Sequence, residues 1–127
     1  MANFSRKRQA VLQALRNTKA HPNAETIYRT CKEIEPSISL GTVYRNLIEL
    51  ERGGEIVRVA TIDGKERYDG DTSEHWHAIC PKCHRIDDVD CSETLRAALD
   101  QERLRGGYDA CRLTFWRTCP ACARQEK

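Results

Sequence analysis

"SLGTVYRNLIELERGGEIVRVATIDGKERYD", residues 39–69, carries the reading of the fold. Leu40, Val43, Leu47 and Leu50 recur at helical spacing, so a helix here turns one apolar face inward. Ser39 is a good N-cap for it, and Gly53-Gly54 supplies its stop. The stripe leaves Thr42, Arg45, Asn46 and Glu49 off the core, with Tyr44 at its edge. Next, "EIVRVATIDGKERYD" reads as two short strands around Asp63-Gly64, a pair that suits a two-residue hairpin turn.

Two further helices precede this unit. Residues 4–17 align Phe4, Val11, Leu12 and Leu15, with Arg6, Lys7 and Arg8 near the start. Asn23, after His21-Pro22, can cap a second helix that turns Ala24, Ile27, Tyr28, Cys31 and Ile34 inward. Three helices followed by a hairpin is the order of a winged helix-turn-helix, whose third helix enters the major groove of DNA. Charge agrees modestly. Residues 1–70 carry 12 Lys/Arg against 9 Asp/Glu, whereas residues 71–127 carry 9 against 10.

The second half changes character after the polar stretch "DGDTSE", residues 69–74. "WHAIC" and "RIDDVDC" read as strands flanking a Cys80/Cys83 knuckle. Ser92 caps a helix over 93–105 with Leu95, Leu99 and Leu104, stopped at Gly106-Gly107. "YDACRLTFWRTC" reads as a final strand leading into "CPAC". The expected fold is α+β: a winged helix-turn-helix over 1–70, then a small α/β domain over 71–127.

With 127 residues, 39% hydrophobic and 31% charged, the chain reads as soluble and globular. Its longest apolar runs are a few residues, so no membrane span is expected. The basic N-terminus lacks an apolar segment after it, so a secretory signal is not expected either, and a cytoplasmic location follows. In the reducing cytosol, seven cysteines point first to metal or redox chemistry. Cys31, Cys91 and Cys111 occur singly and read as small buried hydrophobes.

Cys80/Cys83 and Cys119/Cys122 form two C-x-x-C pairs, enough thiolates for a tetrahedral zinc ion. An iron–sulfur cluster uses the same ligands, and a disulfide or redox couple is a further alternative. His75 and His77, one residue apart, point to one face of a strand. They cannot join a site already filled by four thiolates, which implies a second metal site. Histidine and carboxylate mixtures suit iron, manganese, cobalt or zinc. Asp69, Asp71, Asp87, Asp88 and Asp90 all compete for it, and spacing does not choose among them.

"HPNAETIYRTC", "SLGTVYRNLIELERGGEIVR", "RYD", "HWHAICPKCHRIDDV" and the closing "CPAC" together resemble the ferric uptake regulator (Fur) family, from about Arg6 to Cys122. The resemblance implies a homodimeric, metal-dependent repressor that binds a palindromic double-stranded operator and is not an enzyme. It implies structural zinc at Cys80, Cys83, Cys119 and Cys122. It also implies a regulatory Fe(II) or Mn(II) site at His21, Asp69, His75, His77 and Asp88, bridging the halves. Tyr44 and Arg45 match residues that reach DNA, and Arg8 falls near a contact on the first helix. Thr42 and Asn46 join them as candidates from the helix stripe.

All five regulatory positions resemble the peroxide-sensing (PerR-like) branch, with Asp69 and Asp88 where iron-uptake members usually carry glutamate. In that branch peroxide oxidises a ligand histidine, here His21 or His75. Trp76 and Cys111 occupy positions matching a further His-containing site, which is therefore expected to be absent. The extra N-terminal helix of many members is likewise expected to be missing. His84 stands where glycine is common, adding a possible stray ligand. The alternatives are an iron- or zinc-uptake regulator of the same family and, more remotely, a non-haem iron enzyme.

Overall fold

A computed structural model describes residues 2–125, and the side chains from Arg6 onward. The chain divides into two compact units, Met1–Ser73 and Glu74–Lys127. No helix among the described residues is long and apolar enough to cross a membrane.

The first unit contains α1 (Ala2–Arg16), α2 (Ala24–Ile34), α3 (Leu40–Arg52), β1 (Val57–Ile62) and β2 (Lys65–Asp69). Its helices start where short polar side chains satisfy the first free N–H groups. Asn23 accepts from the Thr26 N–H at 3.0 Å, and Ser39 accepts from that of Thr42 at 3.1 Å. Helix α3 ends at Gly53, followed by Gly54 at φ 74°, a left-handed conformation that glycine adopts without strain. β1 and β2 pair antiparallel through Asp63 and Gly64, both at positive φ, as a twisted two-residue turn requires. Val11, Leu12 and Leu15 of α1 pack with Ile27, Cys31, Val43, Leu47, Leu50, Ile56 and Tyr68 into one core. The Phe4 side chain lies outside the described residues.

Three expectations need correction here. Ile34 is 55% exposed, because it is the last residue of α2, where the inward stripe has run past the core. Leu40, in the first turn of α3, is only half-buried. Asn46, expected on the exposed side, is buried at 1% exposure. Its amide donates to the Thr42 carbonyl at 3.0 Å and its oxygen accepts from Arg8 Nε at 3.5 Å. These bonds offset the cost of burying a polar side chain. They also withdraw Asn46 from the set of residues that can reach a base edge.

Gly70, at the end of β2, passes so close to α1 that an added Cβ would lie 2.8 Å from the Leu15 carbonyl carbon and 2.9 Å from Arg16 N. Both neighbours are backbone and cannot rotate away. Gly70→Ala should therefore lower stability by about 1–3 kcal/mol, the usual cost of overpacking. A urea midpoint unchanged from the parent protein would contradict this.

The second unit holds β3 (Trp76–Ile79), β4 (Ile86–Val89), α4 (Glu93–Gly106), β5 (Thr114–Trp116) and α5 (Pro120–Gln125). β3 is the central strand, antiparallel to β4 and parallel to β5. Ser92 caps α4, and Gly107 closes it in the left-handed conformation. The predicted final strand is shorter than expected: only Thr114–Trp116 pairs, and residues 108–113 are irregular. α5, which carries Cys122, was not anticipated from the sequence.

The single cysteines also divide. Cys31 is buried as expected, whereas Cys91 is half-buried and Cys111 is exposed. Cys111 lies in the irregular stretch before β5, which packs into no core. α4 buries none of its residues, and Leu95, Leu104, Tyr108, Phe115 and Trp116 are all exposed.

Candidate metal centre

Two turns bring the four cysteines together. Cys80 follows β3 directly, and the chain then folds back so that the Cys80 N–H donates to the Arg85 carbonyl and the His84 N–H to the Cys80 carbonyl, both at 2.9 Å. His84 closes this turn at φ 66°, the left-handed conformation in which glycine is the easier residue. Cys119 precedes α5 and Cys122 sits within it. The four Sγ atoms lie within 4.8 Å of one another, and those of Cys83 and Cys119 are 3.7 Å apart. Tetrahedral zinc with Zn–S bonds near 2.3 Å would set its sulfurs about 3.8 Å apart, so the donors fit zinc without His84.

The electrostatics of the cluster also favour a cation. The Cys119 N–H, 3.3 Å from Cys80 Sγ, and then the Cys83 N–H pull the Cys80 thiol down to about 6. The Cys122 N–H likewise holds Cys119 low. Cys122 is pushed the other way, up to about 12, chiefly by its contact with the Cys119 sulfur and then by burial. Crowded sulfurs cannot all be thiolates without a cation between them, and a divalent ion removes that conflict.

Each unit pairs histidine with aspartate. In the second unit, His77 and Asp88 are directly opposed across β3 and β4, so they share a face. Asp88 Oδ1 lies 3.2 Å from His75 Nε2 and 3.5 Å from His77 Nε2. The two imidazoles meet edge to face with centroids 4.6 Å apart, His75 standing just before β3 and His77 within it. Asp87 instead pairs with Arg85 at 2.8 Å. Trp76, on the opposite face of β3 from His77, packs against Phe115.

In the first unit, His21 and Asp69 are both buried, with Nε2 and Oδ2 3.2 Å apart. Asp71 is bound up in its own turn, where its N–H donates to Asp69 Oδ1 and its carboxylate accepts from Ser73. The sequence-predicted ligands thus form a buried His–Asp pair in one unit and a His–His–Asp group in the other. Neutral imidazole nitrogens with carboxylate oxygens form a donor set that accommodates Fe(II), Mn(II) or Zn(II).

On α3, Tyr44 and Arg45 are exposed and Thr42 is half-buried. The Arg45 guanidinium donates to Thr42 Oγ1 at 3.4 Å. Arg8 of α1 forms an ion pair with Glu49 of α3 as well as its bond to Asn46. Sequence reading missed one residue of the first unit's pair: Arg67, whose guanidinium donates to the Ala20 carbonyl at 3.1 Å and to that of His21. Its place two residues before Asp69, on the same side of β2, was the available signal.

The profile of the ferric uptake regulator family matches residues 2–108. The peroxide operon regulator of Bacillus subtilis (strain 168) is 33% identical over 125 residues, spanning 94% of this chain and 83% of that protein. The peroxide-responsive repressor PerR of Staphylococcus epidermidis is 35% identical over 82 residues, which are 65% of this chain and 55% of that protein. Among solved structures, the Campylobacter jejuni peroxide stress regulator superposes with a TM-score of 0.83 at 30% identity, covering 95% of this chain and 92% of that one. With its winged first unit, its four-sulfur cluster and these relatives, the chain belongs to the ferric uptake regulator family of metal-dependent regulators.

Proposed function

We propose that this chain is a homodimeric repressor that releases its operator when peroxide oxidises a histidine ligand of a bound Fe(II). The observation that carries the reading is the pairing of His75 and His77 with one oxygen of Asp88; within the other unit, His21 and Asp69 form a buried pair of the same donor types. Relatives named for their response to peroxide support the same branch. His21, Asp69, His75, His77 and Asp88 would hold the regulatory ion, and Cys80, Cys83, Cys119 and Cys122 a structural zinc.

The five candidate ligands belong to different units by sequence, so an ion held by all of them would favour one arrangement of the DNA-binding unit over others by its differential affinity. In a two-fold dimer that arrangement sets the distance between recognition helices, and a palindromic operator requires a fixed half-site spacing. Bound Fe(II) would supply the one-electron chemistry by which peroxide adds oxygen to His21 or His75. An oxidised imidazole is a poorer donor, and the arrangement relaxes. The exposed Leu95, Leu104, Tyr108, Phe115 and Trp116 supply apolar surface for a second copy to cover.

The test is operator binding with Mn(II), Fe(II) and Zn(II), with elemental analysis, before and after peroxide. The proposal expects loss of binding in the Fe(II) form alone. Retention by all three forms leaves a metal-uptake regulator instead. The DNA contact is tested on α3. Arg45 is exposed and can reach a guanine edge with two hydrogen bonds, a contact worth about 1–3 kcal/mol of discrimination. Arg45→Ala should lose operator affinity while the dimer and its metals stay intact. Unchanged affinity would move recognition to the β1–β2 wing.

A further inference from the structure

His21 adopts φ 52°, in the left-handed region that non-glycine residues rarely occupy, and Pro22 after it restricts it further. A conformation of this kind persists only where its surroundings over-determine it. Three successive residues of β2 do so. Arg67 donates from Nε to the His21 carbonyl and from Nη2 to the Ala20 carbonyl at 3.1 Å. The Tyr68 N–H donates to the Pro22 carbonyl at 3.1 Å. Asp69 Oδ2 meets the ring at Nε2, 3.2 Å away. Arg67 and Asp69, two apart on a strand, share one side of it, so the same strand grips His21 by its main chain and by its imidazole.

We propose that Arg67 is the positioning residue of the regulatory metal site: its two-pronged hold on the Ala20 and His21 carbonyls fixes the strained backbone from which His21 presents its ring. The proposal rests on the reading of His21 as a metal ligand. A guanidinium suits the task because its fork reaches two acceptors at once, whereas a lysine ammonium is a point charge that serves one. Groups that orient a metal ligand commonly change metal affinity 10–100-fold when removed.

The experiment is a double-mutant cycle on the zinc-loaded full chain, titrated with Mn(II) and read by the EPR signal of the free ion. Arg67→Lys and Arg67→Gln should each weaken Mn(II) binding by roughly 10–100-fold, with zinc content unchanged. In a His21→Ala background, Arg67→Lys should add no further loss. An equal loss in both backgrounds would mean that Arg67 acts on the unit generally, and the proposal fails. A loss in His21→Ala without one in Arg67→Lys also overturns it, leaving the ligand reading in place. Parent-like affinity in His21→Ala overturns both. A readout without the regulatory ion completes the test. By NMR, Arg67→Lys should shift the His21 ring nitrogens and leave those of His75 and His77 in place, and an unmoved His21 ring contradicts the clamp.

Discussion

Cys80→Ser or Cys119→Ser is expected to give dissociated, partly unfolded protein that no longer retains zinc. The second unit has little else to hold it. Among the described residues its buried apolar ones are Trp76, Ala78, Ile79, Cys80, Ile86 and Cys119, and two of those six belong to the proposed zinc site. α4 and α5 bury nothing. The contiguous hydrophobic core lies wholly in the first unit, between Ala10 and Tyr68. A structural zinc site contributes on the order of 10–16 kcal/mol of apparent binding free energy. That matches or exceeds the whole stability of a typical domain, about 5–15 kcal/mol. Removing one thiolate also leaves three crowded sulfurs without a complete shell. Size-exclusion chromatography with zinc analysis checks the outcome, and a well-folded zinc-free dimer would contradict the structural role.

The parts of this fold that were legible in the sequence are those set by local chemistry. Asn23, Ser39 and Ser92 each cap a helix because a short oxygen-bearing side chain reaches an N–H three residues on. Asp63-Gly64 turns because both residues accept positive φ. His75 and His77 share a face by two-residue alternation, and the register of β3 on β4 then sets Asp88, rather than Asp87, opposite His77. That register is a tertiary fact, which is why spacing alone left the aspartates in competition.

Other features depended on packing that no local pattern encodes. Asn46 looked like a surface residue by type, yet it is buried because Arg8 and the Thr42 carbonyl satisfy its amide. Ile34 fits the inward stripe of α2 but lies at its end. Residues 108–113 have strand-like composition, yet β5 pairs with β3 only over Thr114–Trp116. His21 gave no hint of its left-handed conformation, since the clamp that enforces it comes from 46 residues away.

The regulatory site carries the second large effect. The Mn(II) form should bind operator and ignore peroxide, because Mn(II) is far less able to donate the single electron that the chemistry needs. The Fe(II) form should bind equally well and lose the operator after mild peroxide. Asp88 is shared between His75 and His77, so lengthening it disturbs two imidazoles together. Asp88→Glu should keep metal-dependent operator binding but blunt the response to peroxide, because the donors persist while their placement changes. A variant as sensitive as the parent would show that carboxylate length does not tune reactivity.

Mass spectrometry of the Fe(II)-loaded protein after mild peroxide tests the central claim most directly, read alongside operator binding of the same sample. The account predicts a gain of one oxygen atom on His21 or His75, in step with loss of the operator. The Mn(II) control should gain none. An unmodified His21 and His75 with operator binding intact would contradict peroxide sensing and leave a regulator that answers to metal alone.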